Sequence, residues 1–177
     1  HLTINLLSVF SANLFNQVSH FMGTNPFVQF VLQPVLIGGF IFHLVMGMIL
    51  DYKNRSSTTT AYAYNENDNS SWTSRNMIIT GTMIFLFICL HFYDFWIPEI
   101  NTKFIKGDWS GMHHGEFRYF EELKHKFDDL WRVVLYVLSF IFLSLHLLHG
   151  FQSSFQSVGV RSKTSTPIIQ RISTIYA

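Results

Sequence analysis

Nine histidines stand in a chain of 177 residues that carries charge on only 13% of its positions. Five of them, His1, His43, His91, His146 and His149, lie in apolar runs. An ionisable side chain in such a run is costly, and its presence points to a functional site. Neutral imidazole ligates transition metals and also hydrogen-bonds between helices. Other chemistry finds no support. Cys89 is the single cysteine, which excludes an internal disulfide and any multi-cysteine metal site. There is no phosphate loop, catalytic triad or flavin fingerprint, so no catalytic residue is assigned to this chain. A net charge of +1 gives no reason to expect nucleic acid or an acidic partner.

The elements that carry the histidines are membrane-sized. A bilayer core about 30 Å thick takes about 20 apolar helical residues to cross. Residues 27–50 and 133–158 hold no charge, and 77–97 holds only Asp94. Residues 2–15 and 167–177 read as halves of two more helices. No basic segment precedes the first, so it is not a signal peptide, and the chain is expected to begin inside a helix. In lipid the backbone must satisfy its own hydrogen bonds, which favours helices. A soluble helical protein would need a polar stripe, and 133–158 offers only Ser, Gln and His for one. The expectation is an all-α integral membrane protein, one transmembrane domain over 1–177. Its helices fall near 1–15, 27–50, 76–97, 131–158 and 167–177, a five-helix bundle whose first and last members are truncated.

The connections are read as a short turn at 16–26, a polar flexible loop at 51–75, a long loop at 98–129 and a short basic loop at 159–166. An amphipathic helix is expected near 117–130. Trp72, Trp96, Trp109 and Trp131 sit near helix ends, as interfacial tryptophans do. Lys53, Arg55, Arg75, Arg161, Lys163 and Arg171 lie on one side. Lys103, Lys106, Arg118, Lys124 and Lys126 lie on the other, mixed with seven acids. The short basic loops lean the 51–75 side toward the cytoplasm.

Depth sorts the histidines. His43 lies eight residues before Asp51, about 12 Å from the inner boundary at 1.5 Å per residue. His146 lies about twelve residues before its helix leaves on the same side. His91 lies seven residues before Pro98, about 10 Å from the outer boundary, and His1 is on that outer side too. Two pairs result, one per leaflet, each drawn from two helices. Two bis-histidine haems stacked across a membrane require this arrangement, because low-spin haem b takes two imidazoles on opposite faces of the iron. Gly47 and Gly150 each follow a histidine by four residues, on the same helix face, where a missing side chain admits the porphyrin edge. His149 has neither a glycine at that spacing nor a partner at its depth and reads as a packing residue. His113, His114 and His125 read as solvated loop residues.

"SHFMGTNP" (19–26), "FIFHLVMG" (40–47), "SSWTSRNM" (70–77) and "LHLLHGFQSSFQSVG" (145–159) resemble the cytochrome b membrane-anchor subunit of bacterial succinate dehydrogenase. The likeness is to the five-helix, two-haem type shared with dihaem quinol:fumarate reductases, and it runs the whole chain. It implies haem ligation by His43 with His146 and by His1 with His91. It implies a flavoprotein and an iron–sulfur subunit as partners, with FAD and iron–sulfur clusters confined to them. It implies menaquinone as the lipid-soluble substrate and the bacterial inner membrane as the location. Ser19 and His20 in the outer turn, and Asp94, are candidates for the quinone region; an interfacial helix-end acid is the plainer reading of Asp94. Two other classes stay open. One is a dihaem anchor of a hydrogenase or formate dehydrogenase. The other is a haem-free membrane scaffold in which the histidines only pack.

Overall fold

The chain is mostly helical in its computed structural model, which describes residues 2–57, 76–160 and 162–177. His1, Trp72, Arg75 and Arg161, and with them most of the connection at 51–75, lie outside the described residues. Among the described residues three helical stretches are long and apolar enough to cross a membrane: Val28–Asn54, Met77–Ile105 and Leu130–Ser157.

The first segment differs from the expected single helix and turn. Helix α1 (Leu2–Phe10) stops at Ser11 and α2 (Ala12–Thr24) starts there. Ser11 is extended, and its Oγ accepts the Leu14 backbone N–H at 3.2 Å, so it caps a new helix N-terminus. Most of the turn expected over 16–26 is therefore helical. The break between helices shrinks to Asn25, which is extended. Asn25 Oδ1 accepts the N–H groups of Phe27 and Val28 at 3.0 and 3.2 Å. Pro26 follows the cap, where its missing N–H is not needed.

A π turn (Val28–Leu32) leads into α3 (Gln33–Ser57). The helix does not stop at Leu50 as read from the sequence. Polarity at Asp51 reports departure from an apolar run, but no Gly or Pro is present there to end the helix. The next span also outruns its expected end. Helix α4 (Met77–His91) continues through a π turn (Phe92–Trp96), α5 (Ile97–Ile100) and a second π turn (Asn101–Ile105). Pro98 was read as a stop because its ring meets the carbonyl four residues back. The chain widens just before it: Ile97 N–H donates to Phe92 O, a five-residue bond. Gln33 N–H donates to Val28 O in the same way, directly before Pro34. Inserted π turns let both helices pass their prolines.

The loop beyond Ile105 holds a small hairpin, β1 (Met112–His113) and β2 (Glu116–Phe117), paired Met112 to Phe117. His114 and Gly115 both take positive φ, as a two-residue hairpin turn requires. Helix α6 (Tyr119–Lys126) lies within the stretch expected to be amphipathic. Helix α7 (Leu130–Ser157) ends ahead of Gly159, whose φ of +81° suits a glycine after a helix C-terminus. Helix α8 (Ser165–Tyr176) completes the chain. With 9 and 12 residues, α1 and α8 each fall short of a full span.

The residues gather into two compact units, His1–His43 with Leu90–Val134 and Leu44–Cys89 with Leu135–Ala177. In the first, α2 docks on α6 and β2. Asn16 ties the seam: its Nδ2 donates to Phe117 O at 3.0 Å and its Oδ1 accepts Phe120 N–H at 2.8 Å. Phe15 meets Phe120 edge-on at the same place. In the second, Tyr136 packs edge-on against Phe87 at 5.2 Å, and Gln152 Nε2 donates to Ser173 Oγ at 2.8 Å.

Burial is inverted relative to a water-soluble fold. Among the described residues the buried apolar side chains are Phe15 and Tyr136, whereas Thr80, Asp94, Lys103 and Ser173 are also buried. Leu36 and Phe42 are about 70% exposed on α3. Apolar surface facing out is stable in hydrocarbon, where polar groups instead turn toward one another.

Candidate functional site

In the second unit the site is built around His146 on α7. Its Nδ1 lies 3.0 Å from Thr80 Oγ1 on α4. The Thr80 hydroxyl also lies 3.0 Å from Met77 O and 3.4 Å from Asn76 O, so its single hydrogen is shared among the helix carbonyls and the His146 ring nitrogen. A histidine that ligates a metal through one ring nitrogen commonly has the other held by a neighbouring polar group. Gly81 completes the seat: a Cβ built on it would stand 3.4 Å from His146 Cε1.

The two glycines singled out by spacing behave differently. At Gly47 on α3 a Cβ would meet nothing within 4 Å, so the face below His43 is open. At Gly150 a Cβ would stand 3.4 Å from Met77 Cε, the flexible end of a side chain. His43 is exposed on α3, and His149 is half-buried on α7.

In the first unit His91 is half-buried at the end of α4, with the Phe95 ring 5.3 Å away. The π turn after it carries two buried polar groups. Asp94 is 2% exposed and faces Arg132 Nε at 3.4 Å and Lys126 Nζ at 3.8 Å. Trp96 stacks on Phe92, and its buried Nε1 has no hydrogen-bond acceptor among the described residues. His20 on α2 lies against a different surface. Its ring stacks on Phe117 at 4.6 Å, and its Nδ1 is 3.4 Å from the Tyr119 hydroxyl. Gly111, at φ +64°, closes over both: a Cβ there would come within 2.5 Å of Tyr119 Oη and 2.9 Å of His20 Nδ1. Ser19 is half-buried beside it in sequence. The candidate quinone residues thus have separate partners, His20 on the hairpin side and Asp94 on the Lys126 and Arg132 side.

Beside His20 runs a chain of charges. Buried Lys103 donates to Gly23 O and pairs with Glu99 at 2.7 Å, with the Trp109 ring 5.5 Å away. Glu99 also pairs with Arg118, which reaches Glu122 at 2.7 Å. Burial, and then the Glu99 carboxylate, push the Tyr119 phenol up to about 12. Tyr119 therefore remains a proton donor at any ordinary pH.

The sequence reading gives no role to Thr80 or Gly81 and takes Trp96 as an interfacial tryptophan. Lys103 reads as a loop cation when the helix is ended at Pro98. Thr80 and Gly81 had a signal: they belong to "TGT" inside the apolar run 77–90, where small polar residues mark close helix contacts. Among the described residues no three His, Cys, Asp or Glu side chains gather for a metal ion; a bis-imidazole iron needs two. No family model matches this chain, and no curated protein or solved structure matches it either.

Proposed function

We propose that this chain is the membrane-anchor cytochrome b subunit of a bacterial succinate:menaquinone oxidoreductase, a five-helix, two-haem protein of the inner membrane. A flavoprotein and an iron–sulfur subunit would be its partners. The reading rests on one observation above all. The last motif, "LHLLHGFQSSFQSVG", resembles that family, and its His146 is seated with Nδ1 3.0 Å from the Thr80 hydroxyl, the kind of hydrogen-bonded support that a histidine ligand takes.

The local surroundings fit a haem. His43 is exposed above an open glycine face, and Gly81 leaves room beside the His146 ring. The buried Trp96 N–H is a donor of the kind that a propionate or a quinone carbonyl would satisfy. When bound, two b haems would supply one-electron transfer between the iron–sulfur partner and menaquinone. His43 and His146 would hold one iron and His1 and His91 the other.

Quinone chemistry needs protons as well as electrons. The candidate region is the end of α2 with Ser19 and His20, together with Asp94. His20 and Tyr119 form a proton-bearing pair there, and Tyr119 keeps its proton up to about pH 12. Asp94, held between Arg132 and Lys126, anchors the π turn that carries Trp96.

The test is a reduced-minus-oxidised optical spectrum of the complex purified from membranes, with haem quantified as pyridine haemochrome and the co-purifying subunits identified. Two b haems per chain with a flavoprotein and an iron–sulfur protein are expected. A nickel or molybdenum protein in their place would assign the anchor to a hydrogenase or formate dehydrogenase. A chain without haem would make it a scaffold.

A further inference from the structure

Thr80 is 1% exposed in the first turn of α4, and its hydroxyl lies within hydrogen-bond distance both of its own helix, at Met77 O, and of the His146 ring on another helix. A threonine that only back-bonds to its helix needs no such partner. Burying a hydroxyl and an imidazole together in an apolar setting costs desolvation of both, which the mutual hydrogen bond offsets. The arrangement also uses the neighbouring residue. Gly81 leaves the space beside His146 Cε1, and at 3.4 Å a methyl would just touch the ring, while a larger side chain would turn it. Side chain and missing side chain thus constrain one imidazole from two directions.

We propose that Thr80 is a positioning residue for His146, holding the ring as its Nδ1–H tautomer with Nε2 presented as an iron ligand and raising the electron donation of that ligand. The proposal rests on the haem reading above and adds to it a residue outside the ligand set. The physical chain is short. An imidazole that donates its N–H is a stronger base at the opposite nitrogen, and a stronger base favours the oxidised iron. Loss of the acceptor should weaken ligation and raise the reduction potential of that haem alone.

The experiment uses the whole complex purified from membranes, in wild type, Thr80→Val, Thr80→Ser and His146→Ala. Haem per chain is measured as pyridine haemochrome, and the potential of each haem by optical redox titration. Thr80→Val keeps the shape and removes the acceptor. It is expected to move one potential upward and to weaken retention of that haem about 10- to 100-fold, the usual effect of losing a ligand's hydrogen-bond partner. Thr80→Ser is expected to restore both, and the second haem to stay as in wild type. If Thr80→Val does not assemble, Thr80→Ser against Thr80→Ala reads the same difference. The proposal is overturned, with the haem reading intact, if His146→Ala loses a haem while removal of the Thr80 hydroxyl leaves both potentials and the haem content unchanged. A haem-free wild type overturns both together.

Discussion

In the first unit, beside neutral contacts such as Asn16 with the Phe120 N–H, the packing is laced by ion pairs: Asp94 with Arg132 and Lys126, and Lys103, Glu99, Arg118 and Glu122 in a row. In the second, Thr80 with His146 and Gln152 with Ser173 are neutral pairs. The difference follows from what each stretch can solvate. Ion pairs need several charges placed together, because a buried charge left alone is far more costly than the pair. Residues 90–134 supply both signs in number, and 135–160 supply neither. A neutral hydrogen bond is cheaper to bury and weaker to lose. The second unit thereby keeps ionised groups away from His146, while the first gathers proton-bearing groups around His20.

If the neutral unit exists to house a ligand, removing His146 should do more than loosen packing. On the proposed haem reading, His146→Ala and His43→Ala are each expected to lose one haem and to impair assembly. Pyridine haemochrome assay of the purified variants decides it. Two full haems in His146→Ala would end the assignment and turn attention to His149, one turn along the same helix face.

The charged unit should be the more sensitive to loss of one partner. Asp94→Asn strands Arg132 and Lys126 and is expected to cost about 3–5 kcal/mol. Gln152→Leu in the other unit removes one neutral bond and is expected to cost about 0.5–1.5 kcal/mol. Denaturant unfolding in detergent micelles compares them. Equal losses would mean that charge makes no difference to how the units are held.

The smallest effect concerns Tyr119. Its phenol has an ordinary value of 10.0, pushed up to about 12 in the folded chain. Between those values the unfolded state releases a proton that the folded state keeps. The contribution to stability is full below about pH 10 and is lost as pH rises through about 12. Ultraviolet difference titration of wild type against Tyr119→Phe should show one tyrosine ionising late. If the difference titrates near 10, the phenol is solvated and the His20 surface is open.

Much of this was legible in the residue order. The runs 27–50, 77–97 and 133–158 marked the long helices, because hydrocarbon transfer is a sum over residues and needs no knowledge of neighbours. Their ends were less legible. Pro98 and the polar run after Leu50 mark stops in the sequence, yet a π turn passes the first and the helix runs through the second to Ser57. Ser11 gave a cap signal that an apolar reading of 2–15 did not weigh. At the site, His43, His91 and His146 were visible as polar residues in apolar runs, as was Asp94. Their partners were not visible, since Arg132 and Lys126 reach Asp94 across more than thirty residues.

What the sequence by itself determined is where the chain is apolar enough for a membrane and which polar side chains are out of place there, since both depend on the composition of single stretches. Only the tertiary structure decided what those side chains do. Thr80 became the hydrogen-bond partner of His146, Gly81 the glycine beside the imidazole, and Lys103 a buried cap on Gly23 rather than a loop cation. The reason is directional. A hydrogen bond or ion pair forms only where two helices bring donor and acceptor within about 3 Å at a workable angle, and that register is set by packing and caps along whole helices, not by the residues that meet.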